Sequence, residues 1–155
     1  MQKIIEATNF DRDKILRLAY AQNDAYRSFK LPKKCGTGTR DIKIPGPSLM
    51  SLQRSILQNI LSNYEVSENA HAYVSGRSII SHASKHAGAT CFIHMDLRNC
   101  FENILTKTIF ELFKNRNWEK SEAALLARLT TNDGSLPQGA PTSPYLCNLA
   151  LFQLD

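Results

Sequence analysis

A chain of 155 residues with 43% hydrophobic and 21% charged side chains has the makings of one globular domain with its own core. Charged residues interrupt every apolar run well short of the about 18 residues a membrane span needs, and Glu6 stands where a secretion signal would carry its apolar stretch, so a cytoplasmic, membrane-free protein is expected. The net charge of +5 is concentrated at the start: residues 1–54 hold 11 Lys/Arg against 5 Asp/Glu, whereas 55–90 hold two of each and 91–155 six against seven. This distribution suits a polyanionic partner, nucleic acid or a nucleoside triphosphate, although many basic proteins are merely soluble.

Asn9 reads as a helix cap, and Ile15, Leu18 and Ala19 share one face of a first helix over 11–25. The stretch from Leu31 to Arg40, with Gly36, Gly38 and several basic residues, predicts a flexible turn between short strands. Asp41 to Pro45 alternates with period two, as a strand with one buried face does. Beyond Pro45-Gly46-Pro47, the spacing of Leu49, Leu52, Ile56 and Ile60 predicts a helix to about Asn63. A further helix covers Ser78 to His86 and stops at Gly88. Thr90 to Asp96 is a short apolar run ending in a carboxylate, the pattern of a buried strand. Helical patterns follow over 106–115 and 121–130, and Asn132-Asp133-Gly134-Ser135 is a turn. Pro137 to Pro144, with three prolines and a glycine in eight residues, excludes regular structure. Tyr145 to Asp155 begins a last helix that has no cap where the sequence stops. The pattern as a whole is α+β, helices packed on a small sheet.

Cys35, Cys91, Cys100 and Cys147 have no paired spacing and read as reduced thiols used mostly in packing. His82 and His86 have a metal-capable spacing, but no Glu follows His82, and a polar helix face is the better reading. Trp118, Phe110 and Phe113 read as core.

Two features carry chemistry. Asp96, at the end of the predicted strand, can reach into a cleft from a fixed backbone. Mg²⁺ prefers such oxygen ligands and usually takes one or two carboxylates together with substrate phosphates. For a lone aspartate, a cap or strand end is the commoner role. Leu136 to Pro144 is the second: a rigid loop that can hold Gln138 against a base or sugar, or serve only as a crossover.

Their combination resembles the reverse transcriptases. Asp-x-x-x-x-Phe on a strand (Asp96, Phe101) precedes Leu-Pro-Gln-Gly-x-x-x-Ser-Pro by 40 residues. Arg40 to Pro45 with Leu52-Gln53 is similar to the family's first block. Ala70-His71-Ala72-Tyr73-Val74-Ser75-Gly76-Arg77-Ser78-Ile79 is similar to its second, in the form found in retron and group II intron-type enzymes. The resemblance spans about 31–155 and points to the retron branch, often an anti-phage system. It implies a right-hand polymerase fold with a mostly antiparallel sheet, divided into an N-terminal helical extension (1–30), fingers (31–89) and a partial palm (90–155).

The resemblance also implies roles. Asp96 and the Leu97 carbonyl hold Mg²⁺, of which the complete enzyme uses two ions to join deoxynucleotides on an RNA template. Phe101 is a steric gate against ribose, Arg40 and Lys34 (or neighbouring Lys33) grip the incoming triphosphate, and Gln138 meets the nascent pair. Gly139 and Ala140 admit the template strand. Structured non-coding RNA, template-primer and dNTPs are the implied partners. The family's aromatic-x-Asp-Asp turn should follow some 20–30 residues beyond Ser143-Pro144, after Asp155. The expectation is therefore a chain inactive by itself, completed by the rest of the palm and a thumb in cis or in trans. A split-enzyme part and a non-catalytic RNA-binding remnant are the alternatives.

Overall fold

A computed structural model describes residues 1–21, 25–33 and 38–154. The architecture is α+β, with helices packed around one core and a two-stranded antiparallel sheet at its edge. Helices α1 (Gln2–Thr8) and α2 (Arg12–Tyr20) lead into β1 (Tyr26–Pro32) and β2 (Thr39–Pro45), then α3 (Pro47–Asn59), α4 (Ile79–Lys85), α5 (Cys100–Asn103), α6 (Thr106–Lys114), α7 (Lys120–Thr130) and α8 (Ser143–Ala150).

The first helix begins later and ends sooner than its predicted span, and α1 precedes it. Asn9 is not its cap: the residue sits at φ 57° and terminates α1, while the Asp11 carboxylate accepts from the Lys14 amide to start α2. Asparagine tolerates the left-handed region, so it closes a helix as readily as it opens one. Pro47, whose fixed φ suits a first turn, begins α3. Leu49, Leu52 and Ile56 then bury one stripe of α3 in the core, together with Ile4, Ile15, Phe113, Leu126 and Leu146 from other helices. Phe113 and Trp118 meet edge to face, and the indole donates to Tyr64 Oη at 2.6 Å. No described helix is long and apolar enough to cross a membrane.

The predicted strand 90–96 is not formed. These residues have no regular structure and are unpaired among the described residues, and Phe92, Ile93 and Met95 are 67%, 85% and 84% exposed. Apolar content signals a demand for burial, but a strand forms only where a neighbour takes up its N–H and C=O groups. The described sheet consists of β1 and β2 alone. Helix α4 likewise buries none of its side chains and is held by the reciprocal Ser78–Ser81 capping box.

Inside the core edge, fully buried Gln53 donates through Nε2 to Tyr26 Oη at 2.9 Å and to the Leu129 carbonyl at 2.8 Å, fastening β1 to α7. Burial pushes the Tyr26 phenol up from 10.0 to about 12; the Gln53 hydrogen bond pulls against this and the Asp133 charge adds to it. An unfolded tyrosine ionises at its ordinary value, so the contribution of Tyr26 to stability is complete below pH 10 and is lost as pH rises from 10 to about 12. Alkaline unfolding followed by circular dichroism should therefore lose part of its steepness across that window in Tyr26→Phe.

Candidate nucleotide and metal cleft

Four separated stretches of chain close on one cavity of about 510 Å³: the ends of the β1–β2 hairpin, the loop at Tyr73, the run from Asp96 into α5, and Gln138. Their convergence rests on the segment from Asn132 to Gly139. Asp133 and Gly134, at φ 47° and 83°, turn the chain tightly, and Ser135 bridges both Asn132 and Leu105. The Thr106 amide donates to the Gly134 carbonyl at 2.9 Å and the Leu136 amide to the Ile104 carbonyl at 3.0 Å, which fixes the exit of α5. On its other side the segment meets β2. The Lys43 amide donates to the Gln138 carbonyl at 2.8 Å, and Lys43 Nζ reaches Asp133 at 2.6 Å. One seam thus holds α5, with Phe101, in place relative to β2, with Arg40.

Gly139 sits at φ 127°, and a Cβ there would stand 2.9 Å from the Lys43 carbonyl oxygen and 3.1 Å from Ile42 Cγ2. The close approach on the Cβ side of this glycine is to β2 of the same chain.

The Asp96 carboxylate is exposed and makes no hydrogen bond or ion pair among the described residues. Next to it Leu97 is 48% exposed. Asn99 lies at φ 51°, a region asparagine tolerates, and turns the chain into α5. Half-buried Phe101 packs on the core and also lines the cleft. Lys33 and Arg40 supply two cations and Asp96 and Glu102 two carboxylates, a lining suited to an anion that arrives with a cation. Lys34 lies outside the described residues. Arg40, Asp96, Leu97, Phe101 and Gln138 share the cleft, and Gly139 is not among its lining residues.

Tyr73, Glu102 and Cys100 are lining residues that sequence reasoning did not single out. Tyr73 carried a signal, since it falls within the second motif block. Its loop is fastened from both sides: Arg77 donates to the Ser67 and Ala70 carbonyls, and Asn148 of α8 to the Ala72 carbonyl at 2.8 Å. Tyr73 itself holds a φ of 59°, unusual for a bulky side chain. His82 of exposed α4 and His86, which caps its C-terminus, lie outside the cleft lining with their Nε2 atoms 3.4 Å apart. Among the described residues, no group of three His, Cys, Asp or Glu side chains is arranged to hold a metal ion. Asp96 with the Leu97 carbonyl, and Glu102 nearby, fit the partial oxygen set that Mg²⁺ takes when substrate phosphates complete its shell.

Comparison with known proteins agrees with the motif order. The sequence model of the family described as reverse transcriptase (RNA-dependent DNA polymerase) matches residues 31–155. The retron Ec86 reverse transcriptase of Escherichia coli is 29% identical over 151 residues, covering 97% of this chain and 47% of the relative. Two retron reverse transcriptases of Myxococcus xanthus are also similar. Mx162 is 31% identical, with 84% of this chain and 30% of the relative covered, and Mx65 is 34% identical, with 84% and 34% covered. The chain spans less than half the length of these relatives. With the motif blocks, the cleft and these relatives together, the chain belongs to the reverse transcriptase family, among its retron-type members.

Proposed function

We propose that this chain supplies the nucleotide-gripping wall and the first metal-holding carboxylate of an RNA-directed DNA polymerase. The observation that carries the reading is the meeting of Arg40, Asp96, Phe101 and Gln138 in one cleft, although the sequence spreads them over about 100 positions. On this reading residues 1–30 are a helical extension, 31–89 fingers and 90–155 part of the palm. Structured non-coding RNA as template-primer and dNTPs are the substrates, in the cytoplasm, and the family resemblance adds a role in defence against phage.

In this mechanism Arg40, with Lys33 or Lys34, holds the triphosphate, the planar guanidinium matching phosphate oxygens two at a time. Phe101 closes the space that a ribose 2′ hydroxyl would need, which selects deoxynucleotides by exclusion. Gln138, on a backbone clamped to β2, bears on the nascent pair. The Asp96 carboxylate and the Leu97 carbonyl would hold Mg²⁺, which when bound would supply charge neutralisation for a phosphoryl transfer that releases pyrophosphate. The chain's own share is orientation: it places the α-phosphate in line for a primer hydroxyl.

Two experiments test this. Arg40→Ala, in an enzyme competent for synthesis, should raise the KM for dNTP about tenfold or more with a smaller change in kcat, the loss of a charge-assisted contact to phosphate. An unchanged KM would remove Arg40 from the site. Primer extension by the 155-residue chain alone on an RNA template should give little or no incorporation, because a two-ion site needs more carboxylates than Asp96 and Glu102. Robust synthesis by this chain would overturn that expectation.

A further inference from the structure

Two thiols 47 positions apart in the sequence meet at the edge of the cleft, with the Cys100 and Cys147 sulfurs 3.5 Å apart. Neither spacing nor composition joins them; the packing of α5 against α8 does. Both side chains are half-buried, and Cys100 also lines the open cavity, where a small solute reaches it. A disulfide has its sulfurs about 2.05 Å apart. Closing the bond needs the sulfurs to approach by a further distance of about 1.5 Å. Cys91, by contrast, is exposed and has no sulfur contact of this kind among the described residues.

We propose that Cys100 and Cys147 form a reversible oxidation site, in which hydrogen peroxide converts the pair to an intramolecular disulfide. The Cys100 thiolate attacks one oxygen of the peroxide, the O–O bond breaks, and the departing hydroxide takes up a proton as water. Cys100 is then a sulfenic acid, oxidised by two electrons. The Cys147 sulfur attacks that sulfur, the S–O bond breaks, and a second water leaves with the Cys147 proton. In sum, two thiols and one peroxide give one disulfide and two waters, and a dithiol such as dithiothreitol reverses the change. Cys100 directly precedes Phe101, so the crosslink ties the wall that carries Phe101 to α8. The effect on nucleotide binding rests on the polymerase reading above; the chemistry of the pair does not.

The test treats the purified 155-residue chain with a small excess of hydrogen peroxide, alkylates the remaining thiols and maps tryptic peptides. Before alkylation the expected product weighs about 2 Da less than the untreated chain. It should join peptide 99–107, which holds Cys100, to peptide 129–155, which holds Cys147, and dithiothreitol should restore both. Cys147→Ser should abolish the crosslink and leave a dimedone-reactive sulfenic acid at Cys100, whereas Cys91→Ser should leave the crosslink intact. Mapping of the unaltered chain decides the matter even if a variant folds poorly. A crosslink through Cys91, or oxidation of Cys100 to sulfinic acid with Cys147 untouched, would overturn the proposal. No nucleotide takes part, so such a failure leaves the polymerase reading standing. A disulfide that forms but leaves dTTP affinity in the presence of Mg²⁺ unchanged would refute the link to the cleft.

Discussion

Replacing Asp96 by Asn in an enzyme competent for synthesis should lower primer extension by about a thousandfold or more, while leaving stability within about 0.5 kcal/mol of the parent. Both halves of that expectation follow from the cleft. Asn keeps the shape and removes the negative charge that holds Mg²⁺, so the loss falls on positioning and neutralisation at the reacting phosphate. Stability is spared because the Asp96 carboxylate is exposed and has no hydrogen-bonding or ionic partner among the described residues. Rates of incorporation on an RNA template, with urea unfolding in parallel, check it. Near-normal synthesis would return Asp96 to the role of an ordinary surface acid, and a large drop in stability would show that it holds the fold instead. RNA affinity should stay the same in either case.

Gly139→Ala should destabilise the chain by about 3 kcal/mol, the largest stability effect expected of any single methyl group here. Two costs add. At φ 127° an L side chain is strained wherever it occurs. The new Cβ would also stand 2.9 Å from the Lys43 carbonyl oxygen, a backbone atom held in place by β2. Gly134 separates the two costs: it too has a positive φ, 83°, but nothing lies within 4 Å of where an added methyl group would stand, so Gly134→Ala should lose only about 1 kcal/mol. Urea midpoints of the two variants give the comparison. Equal losses would mean that strain alone matters and that the contact with β2 yields. Because the Gln138 carbonyl accepts from the Lys43 amide, prising this seam apart would also withdraw Gln138 from the cleft.

The helices that sequence reasoning located best are those with a full apolar stripe. Leu49, Leu52 and Ile56 on α3, and Leu125, Leu126 and Leu129 on α7, are buried as their spacing requires. Short α1 escaped because its seven residues bury only Ile4 and Thr8, too few to make a period. The run 90–96 misled because composition reports which side chains avoid water, not whether a partner strand lies alongside. The motifs named most of the cleft's residues, but not how they are held together. That depends on the Asn132–Gly139 seam, whose contacts with β2 and the exit of α5 are long-range and leave no local pattern. Gly139 illustrates the limit: its freedom was legible, and the neighbour that requires it was not. The nearness of Cys100 and Cys147 was hidden for the same reason.

Phe92, Ile93 and Met95 give the chain an awkward colloidal character. Greasy side chains stand on an unzipped stretch of backbone, so copies crowded together gain by lying edge to edge, and sulfate or phosphate buffers, which sharpen aversion to water, worsen the tendency. Dilute handling, with chaotropic rather than salting-out conditions, keeps that ribbon apart from its twins.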